Sequence, residues 1–163
     1  MEGRKKACVR QCLAELIRLS NKLRVLDKEA LDYGTGELLH TFEIHTIDAI
    51  GNDDGRTVTE LAEWFYVTKG AVSQVVGKLA RSGYVTKKRN PQNGKEVCLT
   101  LTRKGEIALA GHERFHRTLD AEILREVQDV PLATFELFHE LLGRVGAHMD
   151  RYLAIRGQKG TKA

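Results

Sequence analysis

The chain has 163 residues, 42% of them hydrophobic and 29% charged, with a formal net charge of +4 and three cysteines. That size and balance suit one globular domain with extensions, and three cysteines exclude a disulfide-built scaffold. There is no apolar run of about 18 residues, the length a membrane helix needs, and the basic start Met1–Gln11 lacks the apolar core of a secretory signal, so a cytoplasmic location is expected and no membrane partner.

Helical spacing of Val9, Cys12, Leu13, Leu16, Leu19, Leu23 and Leu26 predicts an amphipathic first helix over Arg4–Leu26. Cys8 and Cys12, one turn apart in it, are read as small apolar residues, with a redox pair as the alternative. Asp27–Glu37 contains Tyr33-Gly34-Thr35-Gly36 and reads as a loop. A second helix is expected over Leu38–Ile50, with Leu39, Phe42, Ile47 and Ile50 inward, closed by Gly51–Gly55. Thr57-Val58-Thr59-Glu60 has the form of a capping box, because a threonine hydroxyl can take the N3 amide while the glutamate reaches back. It opens a short helix, Thr59–Phe65, that buries Leu61, Ala62 and Phe65. After a tight turn, Thr68 can cap a helix over Lys69–Arg81, and Gly83 can close it in the left-handed conformation. Strands are expected over Tyr84–Arg89 and Glu96–Leu101, joined by a loop containing Asn93-Gly94. Thr102 then caps a long helix running to about Gln128. Pro131 sits in the first turn of a last helix that carries Leu132, Phe135, Phe138, Leu141, Leu142, Val145, Met149 and Tyr152 on one face, with a tail that frays from Gly157.

The resulting fold class is mostly α with a small β hairpin: a winged helix-turn-helix with N- and C-terminal dimerisation helices. Its parts are a dimerising helix and loop over 1–36, the winged head over 37–102, and dimerising helices over 103–163. Charge supports this organisation. All seven basic residues between Thr68 and Lys95 lie in a span with no acid, while the rest of the chain has more acid than base. Such a concentration is the footprint of a polyanion site. On the Lys69–Arg81 helix, Val72, Val75, Val76 and Leu79 form the inward stripe. The opposite face offers Lys69, Gly70, Ser73, Gln74, Gly77, Lys78 and Arg81. Its small residues let the backbone approach a groove, Gln74 can pair with adenine, and Ser73 can donate or accept. Lys69 and Lys78 suit phosphates, which position the head without specifying sequence, and Thr68 counts with them among the DNA-binding residues. Lys87, Lys88, Arg89, Asn93 and Lys95 would flank the adjacent minor groove.

Val58-Thr-Glu-Leu-Ala-Glu, Val67-Thr-Lys-Gly-Ala-Val-Ser-Gln-Val-Val, Lys78-Leu-Ala-Arg-Ser-Gly-Tyr-Val and Leu99-Thr-Leu-Thr-Arg-Lys-Gly together resemble the MarR family of multiple-antibiotic-resistance-type regulators. The resemblance covers nearly the whole chain. It implies a homodimeric transcriptional regulator, a repressor in the family's usual manner, reading a pseudo-palindromic double-stranded operator with two recognition helices. Family wings carry an Asp followed by an Arg near the tip; Asn93-Gly94-Lys95 departs from this and leaves the arginine's role to Lys95 or Arg89.

His112 and His116 are spaced i, i+4 on one helix face, a spacing that can hold one transition-metal ion. His45, from another helix, can complete a set of three, with Asp27, Glu29, Asp32, Glu37 or water as a fourth ligand. The triple is similar to that of zinc-uptake repressors within the MarR family and implies one Zn2+, or another divalent transition metal, per protomer. The acids of that group's second site are replaced here by Ile44 and Gly111, so no second site is implied. The same residues spell His112-Glu113-Arg114-Phe115-His116, the pattern of zinc peptidases, which is kept as a remote enzymatic possibility. Control by a small aromatic or amphiphilic ligand, and a purely architectural DNA-binding role without an effector, are also compatible with the sequence.

Overall fold

A computed structural model describes residues 2–53, 56–89 and 97–160. The elements in chain order are α1 (Glu2–Leu26), β1 (Ala30–Asp32), β2 (Leu38–His40), α2 (Thr41–Gly51), α3 (Val58–Trp64), α4 (Lys69–Arg81), β3 (Val85–Arg89), β4 (Val97–Leu101), α5 (Arg103–Glu126) and α6 (Leu132–Gly160). Residues up to Arg117 form one compact unit and those from Thr118 a second. The architecture is the expected one: mostly helical, with a helix-turn-helix followed by an antiparallel hairpin. No helix among the described residues is long and apolar enough to cross a membrane.

Where the sequence suggests a plain loop followed by helix, the first unit has a second hairpin. Leu38–His40 is a strand, paired antiparallel with β1 in the register Ala30↔His40, Leu31↔Leu39 and Asp32↔Leu38. Asp32 organises its turn. Its Oδ1 accepts the amides of Gly34, Thr35 and Gly36 at 2.8, 2.9 and 3.1 Å, closing a loop that a helix could not form. Helix α2 starts only after His40, whose backbone amide donates to Glu43 Oε2 at 3.0 Å.

The core of this unit comes from the inward stripes of its short elements. Ile44, Ile47 and Ile50 of α2, Leu61 of α3, Val72, Val76 and Leu79 of α4, Tyr84, Leu99 of β4 and Ala108 of α5 are all essentially inaccessible. Full burial of side chains of the Val, Leu and Ile type contributes about 1.5–3 kcal/mol each, which outweighs the modest helix propensity of the Val-rich, Gly-containing α4. Phe65 packs edge-on to Phe42 at 5.1 Å between centroids. The capping box forms as expected: Glu60 N donates to Thr57 Oγ1 at 3.2 Å and Thr57 N to Glu60 Oε2 at 2.7 Å, which starts α3 at Val58. Tyr66, in the turn to α4, takes a left-handed φ of 53°, and Gly83 closes α4 with φ 77°. The hairpin β3–β4 pairs Val85↔Leu101 through Arg89↔Val97. The loop Asn90–Glu96, and with it Asn93 and Lys95, lies outside the described residues.

Two glycines let α5 press on its neighbours. A Cβ at Gly105 would lie 2.3 Å from Tyr84 O, and one at Gly111 only 1.9 Å from Tyr33 O. The close approach at Gly111 puts the next residue, His112, under the ring of Tyr33, edge-on at 5.5 Å. By contrast α1 has no buried residue, and Cys8 and Cys12 on it are exposed. In the second unit α6 is helical through Gly160, beyond the fraying expected from Gly157, and its apolar stripe from Leu132 to Tyr152 is exposed.

Candidate nucleic-acid interface and histidine cluster

Helix α4 begins after its N-cap Thr68, whose Oγ1 accepts the amide of Ala71 at 3.2 Å. With Val72, Val76 and Leu79 sealed into the core, the other side of the helix faces water. Thr68, Lys69, Gly70, Ser73, Gln74, Lys78 and Arg81 are all exposed there, and so are Lys87, Lys88 and Arg89 on β3. The expected reading face and the expected inward stripe therefore occupy opposite sides of one helix.

Lys78 has a partner that the sequence did not suggest. Its Nζ lies 2.5 Å from Oε1 of Glu43, a carboxylate only 6% exposed on α2, while the lysine side chain remains 55% exposed. Glu43 thereby joins the start of α2 to the last turn of α4. At the base of the hairpin, Thr86 Oγ1 and Thr100 Oγ1 meet at 2.7 Å across the strands.

Beneath this head, three imidazoles converge from two elements. His45 comes from α2, and His112 and His116 from the first unit's part of α5. One ligand nitrogen from each lies within 4.8 Å of the other two. His112 Nε2 and His116 Nε2 are 3.0 Å apart. Tetrahedral coordination at zinc–nitrogen distances near 2.0–2.1 Å separates ligand nitrogens by about 3.3 Å, so the cluster needs only small adjustments to hold an ion. Burial pushes the pKa of both His45 and His112 below the usual 6.5; the charge of His116 acts the same way on both, and the carboxylate of Asp48 opposes it. Both rings are therefore neutral around pH 7, the form that offers a lone pair to a metal. Glu113, between the two α5 histidines, is exposed.

The loop acids expected as fourth ligands do not join this cluster. Asp32 is committed to three backbone amides, which hold its carboxyl below the usual 3.8. Glu37 is held by Lys104 at 2.6 Å and accepts the Tyr84 hydroxyl at 3.2 Å, and its pKa is lowered, chiefly by the lysine. Glu29 is exposed, and Asp27, also exposed, acts on His45 only through its field. The acid that does approach is Asp48, with Oδ1 3.7 Å from His112 Nδ1. The signal for it was its spacing, three residues after His45 on one helix face. The histidines open into a cleft of about 320 Å3 whose other lining includes Asn52, Arg56, Trp64 and Phe65. Arg56 stacks over the Trp64 ring, its Cζ 4.7 Å from the centroid. His40 caps α2, and His139 and His148 are exposed on α6.

Residues 39–96 match the MarR family. Over 128 residues the chain is 30% identical to the HTH-type transcriptional regulator YhjH of Bacillus subtilis (strain 168), a span covering 76% of this chain and 71% of that protein. Among solved structures, the fold is similar to that of FabT of Streptococcus pneumoniae in complex with DNA, with a TM-score of 0.68 and 23% identity over 87% of this chain and 97% of that one. It is also similar to a crystal structure of a MarR family transcription regulator, with a TM-score of 0.74 and 16% identity over 93% and 97% of the two chains. These relatives are transcriptional regulators, so the H-E-x-x-H spelling in α5 does not mark a peptidase. The chain, with its helix-turn-helix followed by an antiparallel hairpin, belongs to the MarR family of DNA-binding winged helix-turn-helix transcriptional regulators.

Proposed function

We propose that this chain is a homodimeric repressor whose affinity for a pseudo-palindromic operator is set by one zinc or other divalent transition-metal ion per protomer, held by His45, His112 and His116. The observation that carries this reading is the convergence of three imidazole nitrogens within 4.8 Å from two separate elements. An ion there would tie α2 to α5 and act as a structural cross-link. It shifts the population toward the DNA-competent state to the extent that it binds that state more tightly. Coupling of this kind is typically about 1–3 kcal/mol, or roughly 5–150-fold in operator affinity.

Association into dimers is supported by the apolar residues that the single chain leaves in water, such as Leu13, Leu19 and Leu23 on α1 and Phe135, Leu142 and Val145 on α6. An exposed apolar stripe on each of these helices is the kind of surface that marks an association site. A two-fold dimer presents two recognition helices to half-sites about one DNA turn apart. Thr68, Lys69, Gly70, Ser73, Gln74 and Arg81 then face the major groove and its phosphates, with Lys87, Lys88 and Arg89 alongside. A cytoplasmic location accords with DNA as the partner.

The test is a zinc titration of metal-stripped protein against a competing chelator, wild type beside His112→Ala, followed by operator binding with and without zinc. One ion per protomer, lost in the variant and tightening operator binding only in the wild type, is the expected result. If the wild type binds no zinc, the metal reading is wrong. The aromatic lining of the cleft, Trp64 and Phe65, then favours a small aromatic or amphiphilic effector.

A further inference from the structure

One buried polar atom of the histidine cluster has no partner. His112 Nδ1 is inaccessible and makes no hydrogen bond within ordinary distance. The side chain that carries it is only 4% exposed. Buried ring nitrogens are normally paired, so an unpaired one calls for a physical reason. On the other side of the ring, Nε2 faces His116 Nε2 at 3.0 Å. Beyond Nδ1, at 3.7 Å, stands Oδ1 of Asp48.

We propose that Asp48 is a positioning residue for the histidine cluster: it accepts a hydrogen bond from the Nδ1–H of His112 and so leaves the Nε2 lone pair directed toward His116. Its use in regulation rests on the metal reading proposed for the cluster, whereas the choice of tautomer it imposes does not. A neutral imidazole carries one proton, on one nitrogen or the other. With the proton on Nε2, the bare lone pair of Nδ1 would be buried facing a carboxylate, two acceptors with no hydrogen between them. With the proton on Nδ1, it points at Asp48, and Nε2 is free to accept from His116 or to bind a metal. Only the second arrangement leaves both sides of the ring with a complementary neighbour.

Asp48 does not serve as a ligand itself. Its carboxylate addresses the nitrogen on the far side of the ring from the Nε2 pair, and it is absent from the set of groups whose ligand atoms meet. It also has a partner of its own. Asn52 Nδ2 donates to Asp48 Oδ1 at 3.1 Å and to the Asp48 carbonyl at 3.0 Å, one helical turn along. The run Asn52, Asp48, His112 is thus ordered from the C-terminal end of α2 into the cluster. At 3.7 Å the contact to His112 is longer than a hydrogen bond; a side-chain movement of about 1 Å closes it. The Asp48 side chain, 37% exposed, has room to make that movement. Metal-bound histidines generally give their second N–H to such an acceptor, and losing it typically costs about 10–100-fold in metal affinity.

Two measurements on the full-length protein test this. The first needs no metal: the tautomer of His112 is read from imidazole 15N shifts of the ion-free protein, in wild type and in Asp48→Leu. The Nδ1–H tautomer is expected in the wild type, with a shift toward Nε2–H in the variant. An Nε2–H tautomer in the wild type, or no change in Asp48→Leu, overturns the proposal. The second is zinc affinity by chelator competition. Asp48→Leu is expected to weaken it by about 10–100-fold, and Asp48→Asn, which keeps a carbonyl acceptor, by less. Affinity unchanged in Asp48→Leu overturns the positioning role. Cobalt(II) loading separates that role from direct ligation: Asp48→Asn keeps the wild-type d–d bands if Asp48 acts through His112, and a changed coordination spectrum shows it to be a ligand and overturns the proposal. Failure of the wild type to bind zinc would strike the metal reading, while the ion-free tautomer judges Asp48 by itself.

Discussion

Replacing Lys78 by methionine should destabilise the reading head itself. The carboxylate of Glu43 is 6% exposed and has two partners, the His40 amide at 3.0 Å and the Lys78 ammonium at 2.5 Å. Methionine keeps most of the aliphatic stem of Lys78 and removes the charge, leaving a buried carboxylate with one neutral donor. Breaking a fully buried ion pair from one side costs about 3–5 kcal/mol. Here the lysine side chain is 55% exposed, so water already screens part of the attraction, and the expected loss falls to roughly 1.5–3 kcal/mol, the range of a hydrogen bond to a charged group. For a chain of this length that lowers the melting temperature by about 2–4 °C per kcal/mol. The assay is urea unfolding of wild type, Lys78→Met, Glu43→Gln and the double variant, at one protomer concentration so that association does not confound the comparison. Glu43→Gln should recover most of the loss, with a coupling of at least about 1 kcal/mol in the cycle. If Lys78→Met unfolds within about 0.5 kcal/mol of wild type with no coupling to Glu43, the idea that this pair fastens α4 to α2 is refuted.

Operator binding should weaken steeply with salt. Lys88→Ala should lower the slope of log affinity against log salt by roughly one and weaken all sequences alike, whereas Lys78→Met should change that slope less, its charge being engaged by Glu43. Gln74→Ala should leave the slope nearly intact and relax base preference by about 1–3 kcal/mol in a competition against mutated operators; equal losses on all operators would remove Gln74 from base reading. Gly111→Ala places a Cβ 1.9 Å from a backbone oxygen and should cost at least about 1–3 kcal/mol in thermal unfolding despite alanine's better helix propensity; a neutral or stabilised variant would contradict the close approach to Tyr33. Finally, three amides hold Asp32 below the usual carboxylate pKa of 3.8, so its ionised form stabilises the fold above that pH. The contribution is lost as pH falls through the lowered folded-state value, and the stability gap between wild type and Asp32→Ala in urea unfolding should close in acid. A gap that stays constant down to about pH 2 would show that the charge contributes nothing.

Periodicity, caps and charge belong to the sequence because they are local. The inward stripe of α4 and its exposed opposite face follow from spacing alone, since a helix places every third and fourth residue on one side. The Thr57–Glu60 box and the left-handed Gly83 need only their own few residues to form, and both stand where the residue types require them. The wing strands were legible from the turn signal between them. The pairing of His112 with His116 was legible from helical geometry, and the choice of His45 as their companion from family resemblance.

The three-residue strands β1 and β2 were not legible, because three residues are too few to show alternation and Leu38-Leu39 fits a helix equally well. Their pairing is decided by Asp32 gathering three amides into the turn and by Leu39 finding a buried place. That choice commits Asp32 to its own turn and leaves Glu37 to Lys104, which is why these two of the expected loop ligands are elsewhere. Only packing brings α5 close enough, through Gly111 against Tyr33, to bury His112 and set its Nδ1 before Asp48. The partnership of Lys78 with Glu43 has the same origin. Both groups are polar in sequence, yet the crossing of α4 over the start of α2 buries one and so gives the other its partner. The one-dimensional pattern determines which faces turn inward; how near two faces come, and which polar atoms are then left without water, is decided only when the faces meet.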